Sequence, residues 1–150
     1  MPTRSDIYNE ARRWVGTPYH HHGRALGQSC DCIGLLVGVG RVLGLMVPPE
    51  MALPDYSSLP HDDLSERMAA RFLVPSKINT IDQALPGQIG LFSISKRGIG
   101  QHFAIFALHK GRKTMIHAYM RGRTVIEAGI SDHWRSRLIS VYDYPGVANV

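Results

Sequence analysis

Past Pro86-Gly87 the chain changes its periodicity, and this change limits the possible folds more than any other feature. The first half carries helical patterns. Residues 5–15 place Ile7, Ala11, Trp14 and Val15 on one face, with Gly16 and Pro18 as the stop. Cys32 to Leu45 is apolar nearly all round and predicts a buried helix. Its glycines (Gly34, Gly38, Gly40, Gly44) lower helix propensity but permit close packing. Asp63 with Glu66 predicts a capping box. The helix it opens runs to about Leu73, turns Leu64, Met68 and Phe72 inward, and ends at Pro75. Tyr19 to Ser29 is a polar loop rich in His and Gly, and 46–61, with Pro48, Pro49, Pro54 and Pro60, is a connection without regular structure. The second half is strand-like: Ile89–Ile94, His102–Leu108, Lys113–Ala118, Arg123–Ala128 and Arg137–Tyr144 are short and rich in β-formers. Helices first and strands afterwards predict an α+β fold, with N-terminal helices packed on a roughly five-stranded antiparallel sheet.

A length of 150 residues fits one domain, 1–150, with one real core. An apolar content of 44% with 19% charged residues argues against disorder. The net charge of +5 favours anionic surroundings, but the basic residues are scattered and form no arm. A specific nucleic-acid partner is therefore not expected. Cys30 and Cys32, one residue apart, would close a very small, strained ring, so at least one thiol is expected to be free. That suits synthesis in a reducing compartment. Residues 1–15 contain no uninterrupted apolar core of a signal peptide. No segment approaches the roughly 20 apolar residues of a membrane span.

The chemistry centres on Asp31-Cys32-Ile33-Gly34-Leu35, where a thiol meets the predicted start of a helix. A helix N-terminus favours negative charge, and a nearby histidine completes a thiolate–imidazolium pair. Asp31 suits the N-cap position, and the Cys32 N–H can face a developing oxyanion. The local sequence equally allows Cys32 to be a buried small hydrophobe. His102 and His117 add weight to the chemical reading. If Lys110-Gly111 is a two-residue hairpin loop, His109 faces Arg112 and His102 faces Tyr119. His102 and His117 then share a face, roughly 7–8 Å apart as diagonal neighbours. On that geometry His102 can act as base and His117 can orient its ring.

Five ordered pieces resemble the NlpC/P60 cysteine peptidases: Trp14-Val15-Gly16-Thr17-Pro18-Tyr19, Cys30 to Leu35, Pro86 to Phe92, Gln101 to Ile105 and Met115 to Ala118. His133-Trp134-Arg135-Ser136-Arg137 and Tyr144-Pro145 resemble the short variety encoded with phage tails and gene transfer agents. The resemblance implies a circularly permuted papain-like fold. It implies Cys32 as nucleophile, His102 as general base, His117 as the orienting third residue, and Tyr19 lining the site. Asp31 is counted with Tyr19 on the substrate side. The implied activity is hydrolysis of amide bonds in peptidoglycan stem peptides. Tail-tip or baseplate proteins are the implied partners and a tail particle acting at the periplasmic cell wall the implied location. Two departures stand out. Gln88 replaces an aspartate common in relatives and is expected to alter a turn, and Ile33 replaces a common small serine.

His20-His21-His22 with Cys30 and Cys32 invites a metal, but adjacent loop side chains do not converge easily and a metal would consume the thiolate. No metal and no cofactor is expected. Cys30, preceding the helix, is expected to be structural. Arg121, Arg123, Arg135 and Arg137 could meet substrate carboxylates, a partner or solvent, and Trp134 is expected in the core. Acyl transfer, hydrolysis of another amide, and a non-catalytic tail adaptor are the competing functions.

Overall fold

The computed structural model describes residues 1–45 and 54–148. Pro48 and Pro49 of the proline-rich connection lie outside the described residues, and 54–63 carries neither helix nor strand. Helix α1 (Arg4–Arg13) begins at Thr3, whose hydroxyl accepts from Asp6 N while the Asp6 carboxylate accepts from Thr3 N. Ile7, Ala11 and Trp14 are buried, but Val15 is exposed because the helix has ended and Gly16 has turned the chain at positive φ.

The polar loop contains a small hairpin, β1 (Arg24–Ala25) with β2 (Ser29–Cys30). Helix α2 (Cys32–Val42) follows at once, and Ile33 to Gly40 are all buried. Two of its glycines are packing requirements. A Cβ on Gly38 would sit 2.3 Å from the Trp14 ring, and one on Gly34 only 1.9 Å from the Gly23 carbonyl oxygen. Gly34 thus lets the His-rich loop lie directly on the first turn of α2.

Helix α3 (Leu64–Phe72) starts without the expected capping box. The Asp63 carboxylate instead accepts from Arg67 Nε, Asp62 Oδ1 receives Leu64 N, and Glu66 reaches across to Gly100 N. Met68 is buried while Leu64 and Phe72 are only half-buried. The chain then forms β3 (Val74–Pro75), so Pro75 lies in an edge strand, where its missing N–H is tolerated.

The remaining strands are β4 (Ile89–Phe92), β5 (His102–His109), β6 (Arg112–Tyr119), β7 (Thr124–Gly129) and β8 (Leu138–Asp143), with the short helix α4 (Asp132–Arg135) before β8. They form one antiparallel sheet in the order β3-β8-β4-β5-β6-β7. Six strands replace the expected five because Val74–Pro75 adds an edge. The β5–β6 turn has positive φ at both Lys110 and Gly111, as a twisted two-residue hairpin needs, and His109 pairs with Arg112 as the parity argument requires. Alternation along β5 sends Phe103, Ile105 and Ala107 to the core under α1 and α2, and Ala104 and Phe106 to a second core with Ile81, Ala84, Met115 and Val141. Gln88 takes part in the turn before β4: its Oε1 accepts from Leu85 N and its Nε2 donates to Asp143, which also holds Arg4.

Candidate active site

Cys32 is the first residue of α2, and Asp31 is its N-cap. Asp31 is buried and its carboxylate is fully engaged. Oδ1 accepts from Gly34 N at 2.7 Å, and Oδ2 accepts from His22 N at 2.7 Å and from Tyr56 OH at 2.8 Å. The capping role expected from sequence is present. Asp31 also borders the small space beside Cys32 together with Tyr19. Tyr56, on the proline-rich connection, lines the same space.

His102 opens β5 and His117 lies on β6. His102 Nε2 and His117 Nδ1 are 2.7 Å apart, and both rings are buried, 4% and 1% exposed. Period-2 alternation puts them with Ala104, Phe106 and Met115, on the face turned away from α1 and α2. The shared face expected from hairpin parity is therefore real, but it is not the face on which α2 packs. Cys32 and His102 instead border a common cavity at the strand ends. Cys32, His102, Tyr19, Tyr119, Met120 and Arg121 are among the residues lining one cavity of about 260 Å³. A second space of about 10 Å³, enough for roughly one water, lies between Tyr19, Cys32, Tyr56 and Gln101.

Trp134 is half-buried and not in the main core. It packs on the second core and over the histidines, 5.4 Å from His102, 5.3 Å from His117, 5.4 Å from Tyr119 and 5.4 Å from Phe92 between ring centroids. Tyr119 stacks on His117 at 5.4 Å. The imidazole pair thus sits inside an aromatic box. Gln101, buried beside His102, fixes the other wall. Its Oε1 accepts from the N–H groups of Ile94, Ser95 and Lys96, and its Nε2 donates to Pro60 O.

Electrostatics favour neutral groups in the substrate-free protein. Burial, with the Asp31 charge second, pushes the Cys32 thiol up to about 12, although the backbone N–H groups of Phe103, Ile33 and Cys32 oppose this. Burial, with His117 second, holds His102 well below 6.5, and burial lowers His117 to about 4. The preformed thiolate–imidazolium pair expected from the helix N-terminus is replaced by a thiol and two neutral imidazoles. The N-terminal field is outweighed first by burial and then by the Asp31 charge beside the sulfur. Burial also raises the Tyr19 phenol to about 12, so it remains a hydrogen-bond donor.

Cys30 is buried, its thiol donates to Asp31 O at 3.1 Å, and burial raises its pKa, in keeping with the structural role expected of it. The triple-histidine loop braces the Asp31 cap. His22 N bonds Asp31, His22 Nε2 lies 3.1 Å from Tyr56 O, and the His21 and His22 rings pack against Tyr56. Of the residues around the site, Tyr119 was legible as the hairpin partner of His102. Tyr56 and Gln101 carried no chemical signal in the sequence, since each acts through long-range contacts.

A helix carrying a half-buried cysteine at its N-terminus, set against an antiparallel sheet with a histidine pair at its strand ends, has the fold of NlpC/P60 domains. An NLP/P60-family protein similar to a lipoprotein, from Staphylococcus aureus, superposes with a TM-score of 0.62 at 20% identity, over 97% of this chain and 42% of that one. NlpC1 from Trichomonas vaginalis gives 0.67 at 16%, over 94% and 44%. The NlpC/p60 domain of the peptidoglycan hydrolase SagA gives 0.58 at 20%, over 94% and 97%. The chain thus spans less than half the length of the first two and nearly the whole of the third. No family model and no curated protein sequence matches it. No helix among the described residues is long and apolar enough to cross a membrane.

Proposed function

We propose that this chain is a cysteine peptidase that hydrolyses amide bonds in peptidoglycan stem peptides. The observation that carries the reading is the cavity shared by Cys32 and His102, with His102 held by His117 at 2.7 Å. Because Nε2 of His102 faces His117, its Nδ1 is the nitrogen left for the thiol. A base at Nδ1 requires His102 to carry its resting proton on Nε2 and donate it to His117 Nδ1. Neutral His117 then bears its proton on Nε2, and its low pKa keeps Nδ1 an acceptor at neutral pH.

Substrate binding displaces water and brings the carbonyl to Cys32. The Sγ proton passes to His102 Nδ1 as Sγ bonds to the carbonyl carbon. The Cys32 N–H at the start of α2 faces the developing oxyanion. The C–N bond breaks as His102 returns the proton to the leaving amine. Water then attacks the thioester, gives its proton to His102, and the thiol re-forms as the acid product leaves. Neutral resting groups suit this order, since both charges arise together and only in the reacting complex.

Digestion of purified cell walls, with the released peptides identified by mass spectrometry, tests the reading. Stem-peptide fragments from the wild-type chain and none from C32A are expected. Fragments from C32A, or their absence with wild type, would refute it. The resemblance of 133–137 and 144–145 supports assigning the chain to a tail particle that opens the wall locally, with tail-tip proteins as partners. Finding the chain in purified tail particles by mass spectrometry would establish that setting.

A further inference from the structure

The charge of the cavity in front of Cys32 identifies a substrate feature, on the assumption that the peptidase reading holds. Arg121 is the only full charge among its described lining residues. The other polar groups there are the hydroxyls of Tyr19, Ser58, Ser95 and Tyr119, the Cys32 thiol and the neutral His102. No aspartate or glutamate among the described residues lines this space or forms an ion pair with Arg121. The nearby Asp31 carboxylate is already engaged by three donors.

The turn that carries Arg121 is also held in place. It joins β6 to β7 and closes with Arg123 N donating to Met120 O at 3.2 Å. Arg123 has φ of 60°, a conformation that requires support, and its carbonyl accepts from Tyr19 N at 2.8 Å. Pro18 bridges to Thr124, and Val125 exchanges backbone bonds with Gly16 and Thr17. The turn that presents Arg121 is therefore clamped to the segment that leads into Cys32. An exposed guanidinium with five donors, carried by a held turn at the rim of a cavity with no competing carboxylate, suits a carboxylate.

We infer that Arg121 binds a free carboxylate on the peptide beside the scissile amide and so selects acidic over amidated stem peptides. The test uses two synthetic stem peptides that differ only in a free carboxylate or a carboxamide on the residue beside the scissile amide. The wild-type chain should cleave the acid form about tenfold more efficiently in kcat/KM, the modest ratio reflecting the exposed rim. R121Q should erase this preference by raising KM for the acid peptide, and R121K should restore part of it. R112Q, at the far end of the β5–β6 hairpin, removes the same charge and should keep the preference. Equal cleavage of both peptides by wild type, or an intact preference in R121Q, overturns the inference alone. Cleavage of neither peptide by wild type, with no release from purified walls, overturns the peptidase reading and the inference with it.

Discussion

The buried histidine pair should make this protein lose stability well before its carboxylates titrate. His117 titrates near 4 when folded, against 6.5 as its reference, and His102 is also held well below 6.5. Between these values the unfolded chain binds protons that the folded chain refuses, so stability is full above 6.5 and falls as pH drops. Going from about pH 7.5 to about pH 5 should cost about 2 kcal/mol for His117, and His102 adds to the loss in the same direction. The His117 share alone is a substantial part of the roughly 5–15 kcal/mol that holds a typical small domain together. Urea denaturation at the two pH values reads the effect directly, as a lower midpoint with an unchanged slope. H117Q removes one of the two groups and should shrink the pH-dependent drop by about the 2 kcal/mol of His117. A midpoint that moves by less than about 0.5 kcal/mol equivalent in wild type, or by the same amount in H117Q, would refute the reasoning.

Trp134→Ala opens the aromatic box. It should destabilise by about 2 kcal/mol for a half-buried indole, and the wetter histidines should titrate closer to 6.5, moving the acid limb of the kcat/KM profile to higher pH. An unmoved acid limb would leave Trp134 a packing residue only. Gly34→Ala sets about 1 kcal/mol of helix propensity against a Cβ 1.9 Å from Gly23 O. Overpacking should win by about 2 kcal/mol or more, with loss of cleavage, as read by thermal melting and wall digestion. Asp31→Asn removes the charge beside Sγ and should bring the Cys32 thiol down from about 12, so that alkylation by iodoacetamide accelerates at neutral pH. An unchanged alkylation rate would show that burial alone holds the thiol protonated.

The two-residue loop at Lys110-Gly111 was legible because local turn chemistry sets hairpin register, and register sets which side chains share a face. That was enough to bring His102 and His117 together. The N-cap role of Asp31 and the buried helix after Cys32 were legible for the same reason, since caps and apolar runs act within a few residues. Other features depended on distant partners. Glu66 carries a capping-box pattern but bonds Gly100 instead, and Val74–Pro75 becomes a strand only because β8 offers an edge.

Sequence alone thus determined the order of helices and strands, the pairing of the histidines, and Cys32 at a helix start. Tertiary structure decided that the histidines occupy the face away from α2 and that His102 shares a cavity with Cys32 at the strand ends. It also decided that Trp134 covers them, that Arg121 stands over the cavity, and that the resting thiol is neutral. The physical reason is range. Propensity, capping and register act over a few residues, whereas burial and Coulomb interactions sum over everything that folding brings near, whatever its distance along the chain.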